Sequence, residues 1–118
     1  MKARRRPTLE VDGQRLTLAR LREFETRRPV ARLAASARKR MQASVEAVER
    51  AVERGDVCYG INTGFGAFAN RVIPVAKTRK LQLNLIRSHA CGTGEPLPPQ
   101  LVRRMLLLKA NSLAAGYS

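Results

Sequence analysis

The sequence predicts a mainly α-helical fold with a small β-hairpin near its start and a glycine-rich loop carrying chemistry in its middle. Three observations lead there. Long stretches hold apolar residues at steps of three and four. Pro and Gly clusters separate those stretches. The octapeptide Tyr59-Gly60-Ile61-Asn62-Thr63-Gly64-Phe65-Gly66 places three glycines in eight positions, which suits neither a regular helix nor a paired strand.

Residues 1–8 read as a disordered basic start, and residues 9–118 as the structured region. Leu9 to Leu16 reads as the hairpin, because Asp12-Gly13 is the strongest short turn signal in the chain. Thr17 is placed to cap a short helix to about Thr26, with Leu18, Leu21 and Phe24 on one face. Pro29 separates it from the next element. A second helix is expected from about Ala34 to Arg54. Its stripe is Met41, Val45, Val48 and Val52, and Gly55 stops it. The glycine loop follows. After Pro74 a third helix is expected over Val75 to His89, with Leu81, Leu83, Leu85 and Ile86 apolar. Pro99 then opens a last helix. Leu101, Val102, Met105, Leu106, Leu107, Leu108 and Leu113 go most of the way round it, so burial on nearly all sides is expected. So apolar a helix in 118 residues reads as part of a larger fold.

Composition narrows the function classes. The net charge is +14. The basic excess runs through the whole chain: 15 Lys or Arg against 7 Asp or Glu up to residue 54, and 8 against 2 beyond it. Such a balance suggests nucleic acid or an acidic partner. No aromatic RNA-binding cluster, zinc spacing or basic heptad region accompanies it, so solvated helix faces account for it better. A small basic helical protein that binds nucleic acid or an acidic partner is the alternative of another class. Cys58 and Cys91 are the only cysteines; without a signal sequence they read as reduced thiols of a cytoplasmic protein. No apolar run approaches the roughly 20 residues of a membrane span, and no metal site is expected.

The glycine loop joins two further blocks: Ser88-His89-Ala90-Cys91-Gly92-Thr93-Gly94-Glu95-Pro96-Leu97, and Leu106 to Ser118 through Lys109-Ala110-Asn111-Ser112. In this order the three blocks resemble the N-terminal part of the aromatic amino-acid lyase family, within it the histidine ammonia-lyase branch. The resemblance runs over roughly Leu9 to Ser118 and is strongest from Cys58 onward. It implies the N-terminal region of a larger helical lyase fold, homotetrameric at full length. It implies elimination of ammonia from a small aromatic amino acid, L-histidine to urocanate, with a tyrosine or phenylalanine lyase or an aminomutase as the alternative.

The resemblance also assigns residues. Tyr59 corresponds to the base that takes the β-proton. A free tyrosine holds its proton to about pH 10, so such a base needs surroundings that stabilise a phenolate. Gly60, Asn62, Thr63, Gly64, Phe65 and Gly66 correspond to the loop that closes over substrate, with glycine freedom suited to a lid. His89 corresponds to a contact at the ring end of the substrate. The pair Ser88-His89 is the histidine-lyase form, where tyrosine- and phenylalanine-preferring relatives tend to show His-Leu and Phe-Leu. Asn111 is assigned to packing or capping. The family's electrophile is a methylidene-imidazolone made from an internal Ala-Ser-Gly, and no Ala-Ser-Gly occurs in these 118 residues. The chain alone is therefore expected to be catalytically incomplete.

Overall fold

The glycine at the first turn shows how the fold is assembled. In the computed structural model, which describes residues 6–117, Gly13 has φ +78°. A Cβ there would lie 2.3 Å from the backbone nitrogen of Ala115. Its N–H donates to Asn111 Oδ1 at 3.0 Å. The turn is thus pressed against the end of the last helix, and only glycine fits. Asn111, assigned to packing or capping, holds this turn against the last helix.

Strand β1 (Thr8–Val11) precedes this turn, helix α1 (Leu18–Arg27) follows it, and strand β2 (Val30–Leu33) comes next. The strands pair in parallel, Thr8 opposite Val30 and Val11 opposite Leu33. The expected hairpin is therefore absent, and β1-α1-β2 is a crossover unit of the kind parallel pairing requires. The reason lies in Asp12. Its Oδ1 accepts the N–H groups of Gln14 and Arg15 at 3.0 and 2.9 Å, so the side chain takes the donors a returning strand would need. The chain goes on into α1, capped by Thr17 Oγ1 accepting from Arg20 N–H at 3.3 Å. Of the start expected to be disordered, residues 1–5 lie outside the described residues. Thr8 belongs to β1, and Pro7 O accepts from Val30 N–H at 2.8 Å.

Two compact units emerge. The first comprises Met1–Val45 with Pro96–Ser118, the second Glu46–Glu95. The first holds the apolar core: Leu9, Val11, Phe24, Ala34, Ala37, Leu107 and Ala114, with Leu16 and Leu21 packed against it. Arg40 ties its parts. The guanidinium donates to the carbonyl of Asp12, and to those of Ala114 and Ala115 at 3.3 and 3.4 Å, a cation placed at a helix C-terminus. Arg104 pairs with Glu25, and the Arg103 guanidinium lies 5.1 Å from the Phe24 ring centroid.

Helix α2 (Ala35–Glu53), a short 3-10 turn (Gly66–Phe68), α3 (Val75–His89) and α4 (Pro99–Ala114) complete the order. Gly55, with φ +78°, ends α2 as expected. Within these residues α4 lacks the all-round cover that its composition calls for. Only Leu107 and Ala114 are buried, and Leu106 is 64% exposed. The cover comes from α1 and β1 on one side, which leaves Met105, Leu106 and Leu108 open. Among the described residues no helix is long and apolar enough to cross a membrane.

Asp12 gives the first unit a pH dependence. Backbone N–H groups of Gln14 and Arg15, then the Arg15 guanidinium, hold its carboxyl well below the usual carboxylate range. A carboxyl depressed by folding stabilises the fold above its unfolded value, near 3.9, and that contribution is lost as pH falls below it. The melting temperature by circular dichroism should therefore drop on acidification below about pH 4. Asp12→Asn, which keeps Oδ1 but loses the charge, should flatten that drop. An unchanged acid profile in the variant would refute the assignment.

Candidate active site

The expected site residues, Tyr59, the glycine loop and His89, all lie in the second unit, which holds the glycine loop and α3. Asn62 organises the loop. It is 5% exposed. Its Oδ1 accepts the Cys58 N–H at 2.8 Å, and its Nδ2 donates to the Asp56 carbonyl at 2.8 Å. Its own carbonyl accepts from Ile73 N–H at 2.7 Å. Both ends of the short side-chain amide bond to nearby backbone and fold the chain back on itself, which is why this position suits Asn.

Thr63 follows, 1% exposed. Its hydroxyl donates to the Gly64 carbonyl at 3.0 Å and accepts from Gly60 N–H at 3.3 Å. The backbone bridges Thr63 to Val72, and Gly64 N–H bonds Arg71 O at 2.9 Å. Gly64 serves close approach here. A Cβ would lie 2.6 Å from the Phe68 carbonyl oxygen. Asn62, Thr63 and Gly64 thus form an anchored base. The backbone turns at Gly60 and Gly66, with φ of +80° and +56°, flank that base.

Tyr59 sits outside the base and is 66% exposed. Its ring meets Phe65 edge to face, centroids 6.0 Å apart at 65°. Gln82, on α3, donates to the Gly60 carbonyl at 3.3 Å and steadies the loop beside Tyr59. His89 is the last residue of α3 and is exposed. Its Nδ1 lies 2.9 Å from the Leu85 carbonyl and 3.0 Å from Ser88 Oγ.

Between the loop and α3 lies an open cleft of about 380 Å³, lined by Gly64, Phe65, Phe68, Ile73, Leu81, Asn84, Leu85 and Ser88. That volume lies in the range of small-molecule sites. Gly64 and Phe65 were expected at the site and line the cleft. Tyr59 and His89 do not line it. Asn84 and Gln82 were missed by sequence reasoning. The signal for the cleft-facing side of α3 was present: Leu81, Leu85 and Ser88 recur at steps of four and three. A larger cleft of about 700 Å³ lies in the first unit. Its ionisable lining is arginine alone, so it offers no acid or base working near neutral pH. Among the described residues no three His, Cys, Asp or Glu side chains gather as a metal site.

Loosening the loop base should be measurable. Asn62→Ala would leave the Cys58 N–H and the Asp56 carbonyl without their partner, costing about 1–3 kcal/mol locally. Cys58 is half-buried, whereas Cys91 is exposed. In a Cys91→Ser background, thiol labelling of Cys58 should accelerate by about tenfold or more. Unchanged labelling would show that Asn62 does not hold the loop.

Residues 16–118 match the family described as aromatic amino acid lyase, and the chain belongs to it. Histidine ammonia-lyase from Homo sapiens is 46% identical over 110 residues, which is 93% of this chain and 17% of the relative. The crystal structure of histidine ammonia-lyase from Trypanosoma cruzi superposes with a TM-score of 0.79 at 35% identity. It covers 92% of this chain and 21% of that one. Tyrosine aminomutase from Streptomyces globisporus gives a TM-score of 0.84 at 31% identity, over 93% and 21%. The chain thus spans about one fifth of the length of these relatives.

Proposed function

We propose that this chain supplies the proton-abstracting phenol and the ring contact of an ammonia-lyase acting on an aromatic amino acid, with L-histidine, giving urocanate, as substrate. The observation that carries the reading is the hydrogen-bonded glycine loop beside α3: Gly64, Phe65 and Ser88 line one cleft, Tyr59 packs on Phe65, and His89 follows Ser88 at the helix end. The Tyr59 oxygen would take the β-proton. Phe65, packed on its ring, would limit its orientation. The anchored base of Asn62, Thr63 and Gly64 would fix the loop, and the segment around Phe65 and Gly66 would close over substrate. His89 would pair with the substrate ring. A homotetramer in the cytoplasm is part of the same reading, supported by the open apolar side chains Met105, Leu106 and Leu108 and by two free cysteines.

The family's methylidene-imidazolone supplies the electrophile in this chemistry. These 118 residues contain no Ala-Ser-Gly from which it could form, and no step here runs through it. Urocanate absorbance with purified 118-residue chain and histidine should stay at background. Turnover that co-purifies with the chain and disappears in Tyr59→Phe would overturn this reading. The similarity to tyrosine aminomutase favours a second reading, amino-group migration on an aromatic substrate. Chromatography of the products of a complete lyase carrying this segment separates a β-amino acid from an unsaturated acid.

A further inference from the structure

Two side chains converge on one carbonyl oxygen in the last turn of α3. Ser88 Oγ donates to Leu85 O at 2.9 Å, and His89 Nδ1 lies 2.9 Å from the same oxygen. A carbonyl oxygen only accepts, so Nδ1 must carry the hydrogen. The third side of the triangle agrees. Ser88 Oγ is 3.0 Å from Nδ1, and with its own hydrogen on Leu85 it faces Nδ1–H with its lone pairs. An unprotonated Nδ1 at this point would set its lone pair against that of the Leu85 carbonyl. Which nitrogen of a neutral imidazole is protonated is decided by the partner of the other.

We propose that Ser88 is a positioning residue: with the Leu85 carbonyl it holds neutral His89 as the Nδ1–H tautomer, so that Nε2 is presented as a hydrogen-bond acceptor for a ring N–H or O–H of the substrate. This rests on the reading of His89 as the ring contact and adds the chemical class it selects. An acceptor at Nε2 pairs with an imidazole N–H or a phenol O–H. A phenyl ring offers it nothing and leaves it unpaired on closure, the arrangement that discriminates most strongly between ring types. Ser88 also lines the cleft, one residue from the imidazole it orients.

The chain contains a single histidine, so its imidazole nitrogens are observed without assignment ambiguity. The experiment is ¹⁵N NMR of the labelled chain, in solution or under magic-angle spinning. It is run at about pH 9, above the usual imidazole range near 6.5. Wild type should show a protonated Nδ1 and an unprotonated Nε2. Ser88→Ala leaves the Leu85 carbonyl as the sole acceptor for Nδ1–H and should raise the Nε2–H share, the form free imidazole side chains prefer, above that of wild type. Ser88→Thr, which keeps a hydroxyl, should retain Nδ1–H. Backbone shifts of residues 85–89 report whether α3 is intact, and if the alanine variant frays the turn, the wild-type and threonine spectra decide. No substrate is involved, so failure here leaves the lyase reading to its own test in urocanate formation. Predominant Nε2–H in wild type or in Ser88→Thr, or an unchanged Nε2–H share in Ser88→Ala with α3 intact, would overturn the proposal.

Discussion

Tyr59→Phe, in a complete histidine ammonia-lyase whose N-terminal segment is replaced by residues 9–118 of this chain, should lower kcat by about 10²–10⁴-fold and leave KM nearly unchanged. The substitution removes only the oxygen. Phe at this position keeps the edge-to-face contact with Phe65, and the Gln82 bond to the Gly60 carbonyl does not involve the phenol. Loop geometry is therefore preserved while the proton acceptor is lost. Proton abstraction is an interaction of the transition state and not of the bound ground state, so the loss falls on kcat. Steady-state kinetics on histidine measure it. Near-full kcat in the variant would show that another group takes the proton.

His89→Leu in the same chimera should fail differently. A group that pairs with the substrate ring contributes to ground-state and transition-state binding alike, so KM for histidine should rise. The expected rise corresponds to about 1–3 kcal/mol, the cost of leaving a buried polar group of the substrate unpaired, or about 5- to 150-fold. Preference should also move toward phenylalanine, since an apolar pocket end no longer rewards a ring donor. Because Nδ1 bonds only to its own helix end, removal of the imidazole should cost little stability. Kinetics on histidine, tyrosine and phenylalanine decide it. An unchanged substrate ranking would remove His89 from the ring end of the site.

Local signals were legible where a single residue type decides the backbone. Thr17 caps α1, Gly55 ends α2, and Pro74 and Pro99 set the starts of α3 and α4. Each is a short-range rule that tertiary packing leaves intact. The parallel pair β1-β2 was not legible. Asp12-Gly13 signals a turn, but whether the chain returns as a strand or enters a helix depends on where the Asp12 carboxylate bonds. It accepts from Gln14 and Arg15, while the distant Asn111 takes the Gly13 N–H. Val30 to Leu33 offers four residues without alternation in burial, too short a run to announce a strand. For α4 the apolar residues around the helix showed how apolar it is, not what covers it. At the site, the three motif blocks named Tyr59, His89 and the loop. They did not reveal that Asn62 and Thr63 are structural anchors, because that role rests on bonds to Asp56, Cys58 and Gly60 that no spacing rule records.

The central claim is that these residues carry the deprotonating and ring-binding half of an aromatic amino-acid lyase site. The most direct test is urocanate formation by the human histidine ammonia-lyase with its matching N-terminal segment exchanged for residues 9–118, assayed beside its Tyr59→Phe variant after both are shown to be folded. Sustained release of urocanate by the chimera, abolished in Tyr59→Phe, is the expected result. A folded chimera that releases none, or one whose activity survives loss of the Tyr59 hydroxyl, would contradict it.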